Sequence, residues 1–229
     1  MSFVELQHSM MQHVLFPSSE VKDESKAEDL QLRKVIRYCP PPSTELDTAP
    51  IVVFDFETTG LNSGTDRIIE IGAQKLVNFK VIDEFSALVK PDIELTKVAR
   101  TISGITDEML KDQPPIEDVL PGFLEFINGS ILMAHNAEFD LSFLKASASR
   151  LGMDLDLPCF CSVKLTRALL PQLESRTLDA LAAHYGLKFE ARHRSVGDVK
   201  VTVAVVKNVF ESEGQEIKRW QDLAPYRVM

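Results

Sequence analysis

The stretch IVVFDFETTG, residues 51–60, constrains the fold more than any other part of the chain. Its run of β-branched and aromatic residues reads as a buried strand. Within that strand stand two acids, Asp55 and Glu57, two positions apart. Strand side chains alternate faces, so both carboxylates point one way while Phe54 and Phe56 point the other. At the usual rise per residue the two acids lie roughly 7 Å apart. At an effective dielectric of about 20 they repel by about 2 kcal/mol. Such a pair costs stability unless it shares a cation. The rest of a metal site would then have to come from elsewhere in the sequence.

Two further acids head apolar stripes. After a short buried strand, SILMAH, the segment NAEFDLSFLKASASRLG reads as a helix with Asn136 as N-cap and Gly152 near its end. On that helix Asp140 shares a face with Phe143 and Leu144. Taken alone, Asp140 reads as an ordinary first-turn acid facing the helix dipole. In HRSVGDVKVTVAVV, Asp198 falls in helical register with Thr202, Val205 and Val209. Val199, Val201, Val203 and Val205 also alternate at period two, a pattern that by propensity favours a strand. His193 lies five positions before Asp198, whereas His8, His13 and His184 read as structural.

Four carboxylates without a cysteine or histidine cluster suit a hard cation held by oxygen, Mg2+ or Mn2+ rather than zinc. Two such ions roughly 4 Å apart can clamp the attacking and leaving oxygens of a phosphodiester. Histidine side chains titrate near neutral pH, so His193 is a candidate to take a proton from an attacking water.

A chain of 229 residues has room for one sizeable core and a tail. Residues 1–49 contain polar runs such as SSEVKDESKAED and the connector CPPPS, and read as a partly flexible extension with a short element at LQLRKVIRY. From residue 50 to 212 the patterns are dense. RIIEIGAQKLV and KVIDEFSALVK read as strands joined by a turn around Asn78. PPIEDVLPGFLEFI reads as a helix distorted at Pro121, and SVKLTRALL and TLDALAAHYG as two more. This order predicts an α/β domain, a mixed sheet flanked by helices. Residues 213–229 form a tail that either packs Trp220 and Leu223 onto the domain or stays mobile.

No run is long enough to span a membrane, the N-terminus lacks the pattern of a secretory signal, and the odd set Cys39, Cys159 and Cys161 suggests neither a zinc cage nor a disulfide framework. The expectation is a reducing, cytoplasmic setting. Cys159 and Cys161 would share a strand face as small buried hydrophobes. The net charge of −9 argues against a protein that grips long nucleic acid through its backbone phosphates. Metal ions or a partner would have to compensate.

Taken together, FDFETTG, IIEIGA, GIT, AHNAEFDLSFL, LTRALLP and HRSVGD resemble the DEDDh 3′–5′ exonucleases. Within them the chain is most similar to the proofreading branch, typified by the epsilon subunit of bacterial DNA polymerase III and the exonuclease domain of Gram-positive replicative polymerases. The resemblance spans residues 50–212 and implies a ribonuclease-H-like fold with a central five-stranded mixed sheet. It implies that Asp55 bridges two metal ions, that Glu57 and Asp198 complete one, and that Asp140 holds the other partly through water. His193 would be the general base. Thr58, Thr59 and Leu61 would meet the 3′-terminal nucleotide, with His135, Asn136 and Phe139 lining the same pocket. Gly197 stands where relatives often carry an acid or alanine, which would loosen the local helix start without removing a ligand.

The activity so implied is metal-dependent release of nucleoside 5′-monophosphates from 3′ ends, with DNA favoured over RNA by the TTG flank. The alternatives are an exoribonuclease that trims RNA and a catalytically silent replication adapter. In the extension, QHVLF (Gln12 to Phe16) resembles the pentapeptide that binds bacterial sliding clamps, which makes a clamp or DNA polymerase a candidate partner. Chance occurrence of so short a motif is the competing reading.

Overall fold

The computed structural model describes residues 40–228 together with the backbone of residues 33–36. QHVLF and Cys39 lie outside the described residues. The central sheet is built from β2 (Ile51–Thr58), β3 (Ile68–Val77), β4 (Lys80–Leu88), β5 (Ile131–Ala134), β7 (Cys159–Cys161) and β8 (Arg227–Val228). Their order across the sheet is β4-β3-β2-β5-β7-β8. The first three strands form an antiparallel meander, while β2, β5 and β7 run parallel. A separate parallel pair joins β1 (Arg33–Ile36) to β6 (Met153–Asp156).

The sheet is mixed as expected, but it has a sixth member. The expected five strands are extended by β8, which pairs antiparallel with β7 and comes from the C-terminal segment. Just before β8, the 3-10 helix Trp220–Tyr226 buries Leu223 completely and sets Trp220 edge-on to Phe160. Residues 41–46 clasp this segment: Leu46 N donates to the Lys218 carbonyl and Trp220 N to the Thr44 carbonyl. The tail therefore packs on the sheet.

The helices are α1 (Lys97–Ser103), α2 (Asp107–Leu110), α3 (Ile116–Ile127), α4 (Ala137–Arg150), α5 (Ser162–Leu169), α6 (Leu178–His184) and α7 (Ser195–Ser212). Alternation along β2 divides the core between the two faces of the sheet. Val52, Phe54 and Phe56 pack with Phe123 of α3 and Leu141, Phe143 and Leu144 of α4. Ile51 and Val53 pack on the other face with Leu165, Leu181 and the valines of α7. Both cysteines of β7 are buried on the first face, as their spacing implied.

Three local features position the rest. The β3–β4 connection is a two-residue turn in which Asn78 and Phe79 both have positive φ, the geometry that fits the twist of a hairpin. Pro121 lies within α3 without ending it. α7 is helical through all four alternating valines, because Val199, Val201, Thr202, Val203, Val205, Val206 and Val209 are buried around much of its circumference. Burial on several sides outweighs the weak strand preference of β-branched residues. Among the described residues no helix is long and apolar enough to cross a membrane.

Candidate active site

Asp55 and Glu57 continue the sheet face of Ile51 and Val53, so they emerge where α7 begins. Opposite Asp55 on β3 stands Gly72. A Cβ there would lie 2.6 Å from the Ser195 carbonyl carbon and the Val196 nitrogen, so only glycine lets the first turn of α7 settle on the strand. Opposite Glu57 stands Glu70, whose buried carboxylate accepts Ser195 N at 2.9 Å and a forked pair of bonds from Arg194. Glu70 therefore caps α7 from the neighbouring strand and leaves no need for a capping side chain at Arg194.

This docking brings Asp198 to the pair. Ligand atoms of Asp55, Glu57 and Asp198 all lie within 4.8 Å of one another. Gly197 contributes directly: a Cβ there would meet the Ala191 carbonyl oxygen at 1.9 Å. Contrary to the expectation that this glycine loosens the helix start, it lets the preceding loop fold tightly against it.

Asp140 arrives from the opposite side. Pairing between β2 and β5 ends at Val53, and beyond it Phe56 N donates to Asp140 Oδ1 at 3.0 Å. Asp140 is buried and its charge acts on Asp55, but it is not among the three mutually close carboxylates. Asn136 is the N-cap residue of α4, as expected, but it adopts the left-handed conformation (φ 59°) and its side chain makes no cap hydrogen bond.

The electrostatics are those of an acidic site that Arg192 and Arg194 neutralise only in part. Burial pushes the Asp55 carboxyl well above the usual range, with the charges of Asp140, Glu57 and Asp198 adding to it. Burial likewise pushes Glu57 up to about 7, helped by Asp198 and Glu70 and opposed by Arg192 and Arg194. Asp140 and Asp198 are raised by burial, against the Phe56 N–H in the first case and chiefly against Arg192 in the second. Asp198 Oδ1 is buried with no hydrogen-bond partner among the described residues. Such an oxygen is costly unless something binds it. An all-carboxylate donor set with one orphaned oxygen fits a hard divalent cation.

His193 stands half-buried at positive φ (59°), with its Nδ1 3.4 Å from an Arg192 nitrogen. Leu61 is 87% exposed at the tip of the TTGL loop, and Thr58 Oγ1 donates to the Gly60 carbonyl at 2.6 Å. The Thr59 side chain is fully buried, donating to Asp66 Oδ1 and accepting Arg67 N, so its hydroxyl is engaged within the loop. His135 is half-buried against Ser162 Oγ, and burial lowers it to about 4, so it is neutral at pH 7. Phe139 is half-buried with its ring 4.9 Å from Phe143, and Asn136 is exposed.

Sequence reasoning missed Glu70, Arg192, Asp179 and helix α1. Glu70 carried a readable signal, an acid inside the otherwise apolar run RIIEIGA. Arg192 and Asp179 belong to no periodic pattern, and only the fold joins them. Thr96, the N-cap of α1, donates to the Thr59 carbonyl at 2.9 Å and ties α1 to the TTGL loop.

Comparison with known proteins identifies the family. The exonuclease family (RNase_T) matches residues 52–206. The chain belongs to this exonuclease family. It is a DEDD-type 3′–5′ exonuclease of the ribonuclease-H-like superfamily. The PolC-type DNA polymerase III of Caldanaerobacter subterraneus is 43% identical over 160 residues, covering 70% of this chain and 11% of that protein. Its counterpart in Thermotoga maritima is 38% identical over 203 residues, 85% of this chain and 15% of that one. The chain thus spans a small part of the polymerases it matches. Among solved structures, exonuclease X in complex with 5′ overhanging duplex DNA superposes with a TM-score of 0.63 at 28% identity, covering 77% of this chain and 99% of that one. Escherichia coli exonuclease I with a dT13 oligonucleotide shares the fold, with a TM-score of 0.66 at 19% identity over 74% of this chain and 42% of its own length.

Proposed function

We propose that this exonuclease acts on DNA 3′ ends in proofreading or repair, hydrolysing the terminal phosphodiester to release nucleoside 5′-monophosphates. The observation that carries the reading is the meeting of Asp55, Glu57 and Asp198 within 4.8 Å at the foot of α7. Those three, with Asp140 partly through water, would hold two Mg2+ or Mn2+ ions. Bound there, the ions would supply Lewis-acid stabilisation of phosphate charge and a more acidic water. His193, on the loop entering α7, would accept the proton of the attacking water. Leu61, Thr58, His135, Asn136 and Phe139 would surround the terminal nucleotide, with neutral His135 offering a hydrogen bond rather than a charge.

DNA is favoured because relatives of the PolC type are DNA polymerases by name and exonuclease X is described bound to duplex DNA. With a net charge of −9, delivery of the 3′ end by a polymerase or by a clamp held at Gln12–Phe16 would supply the local concentration that charge does not. The protein would then work in the cytoplasm. The test is shortening of 5′-labelled single strands of DNA and RNA of matched sequence, with Mn2+ or with EDTA, and chromatographic identification of the released nucleotide as a 5′-monophosphate. Metal-dependent shortening of the DNA is expected. Faster shortening of RNA would favour the exoribonuclease, and no shortening of either would leave the silent adapter.

A further inference from the structure

Arg192 makes a continuous bridge between a surface acid and the acidic site. Its Nε and one terminal nitrogen bind both oxygens of Asp179, at 3.1 and 2.9 Å. Its other terminal nitrogen donates to Asp198 Oδ2 and lies 3.4 Å from His193 Nδ1. Below the fork the guanidinium rests 4.9 Å from the centre of the Phe189 ring. The fork is thus fixed on three sides before it reaches Asp198.

The consequence concerns which oxygen of Asp198 is left. Arg192 occupies Oδ2, while Oδ1 is buried without a hydrogen-bond partner among the described residues. The Asp198 side chain is only 7% exposed, so solvent cannot take up the vacant oxygen. A carboxylate held by one oxygen presents the other in a single direction, and Asp198 also has ligand atoms within 4.8 Å of Asp55 and Glu57. We propose that Arg192, braced by Asp179, is a positioning residue that fixes Asp198 as a one-oxygen ligand for a divalent cation. This rests on the metal-site reading above. The planar fork is needed, because a lysine reaching Asp198 could not also grip both oxygens of Asp179.

Outer residues that orient a ligating side chain typically change metal affinity 10- to 100-fold when removed. The direction is informative. A role as mere counter-charge predicts tighter cation binding once the guanidinium is gone, and an orienting role predicts weaker binding.

The experiment is calorimetric titration of the metal-free full chain with Mn2+, without nucleic acid. Arg192→Ala should raise the Kd for Mn2+ by about 10- to 100-fold. Arg192→Lys should fall between that variant and the unaltered protein. Asp179→Asn, at a side chain 62% exposed, should weaken binding in the same direction. An unchanged or lowered Kd in Arg192→Ala overturns the proposal. If that variant does not fold, an unchanged Kd in Asp179→Asn overturns it. If the unaltered protein binds no Mn2+ that depends on Asp55, the metal-site reading fails and this inference with it. Binding that depends on Asp55 but is indifferent to Arg192 removes this inference alone.

Discussion

Replacing Glu57 by glutamine should make the metal-free protein more stable at alkaline pH. In the folded chain this carboxyl is pushed up to about 7 from an ordinary 4.5, first by burial and then by Asp198 and Glu70. A carboxyl raised on folding leaves stability intact below its unfolded value and erodes it as the pH climbs through the folded one. The loss therefore begins near pH 4.5 and is nearly complete by pH 8, where keeping Glu57 ionised costs about 3 kcal/mol. Glutamine keeps the shape and removes the charge. For a folded unit of this size that corresponds to a melting temperature roughly 6–12 °C higher in EDTA at pH 8. At pH 5, where Glu57 in the folded chain is mostly protonated, the difference should shrink to about a quarter of that. Saturating Mn2+ should reverse the order, since ions bound only by the folded state stabilise the unaltered protein and not the variant. Thermal melts at pH 5 and pH 8, with EDTA and with Mn2+, read all four cases. A variant that melts at or below the unaltered protein at pH 8 in EDTA would refute the claim that these acids are buried together with only partial compensation from Arg192 and Arg194.

Asp55→Ala should abolish turnover while leaving the circular dichroism spectrum intact and the metal-free melting temperature equal or higher. His193→Ala should slow hydrolysis by about 10²- to 10⁴-fold yet keep the Mn2+ affinity of the unaltered protein, and an unaltered rate removes its role as base. Gly197→Ala should cost about 1–3 kcal/mol or more in a denaturant titration, because its Cβ would enter the Ala191 carbonyl; a neutral substitution would show that the loop yields.

The parts of the fold legible in the sequence were those written in periodicity. The hairpin around Asn78, the amphipathic α3 and the buried β2 follow from spacing alone. Asp55, Glu57, Asp140 and Asp198 were noticeable because each is an acid among apolar neighbours, where charge is expensive. What could not be read was how far apart they end up. The approach of Asp198 depends on Gly72 and Gly197, residues with no side chain to announce a contact. The cap supplied by Glu70 and the brace from Asp179 join residues that are distant in sequence or out of any register. The inward turn of the Thr59 hydroxyl was also illegible, because a motif position does not say which way a side chain points. In α7 local propensity pointed to a strand, and burial of the helix among α6 and the sheet prevailed.

The most direct test is the anomalous scattering of crystals soaked with Mn2+ and a nucleoside 5′-monophosphate. The account predicts two manganese peaks about 4 Å apart beside Asp55, one of them also within coordination distance of Glu57 and Asp198. Manganese elsewhere, or none at the foot of α7 under saturating conditions, would contradict it.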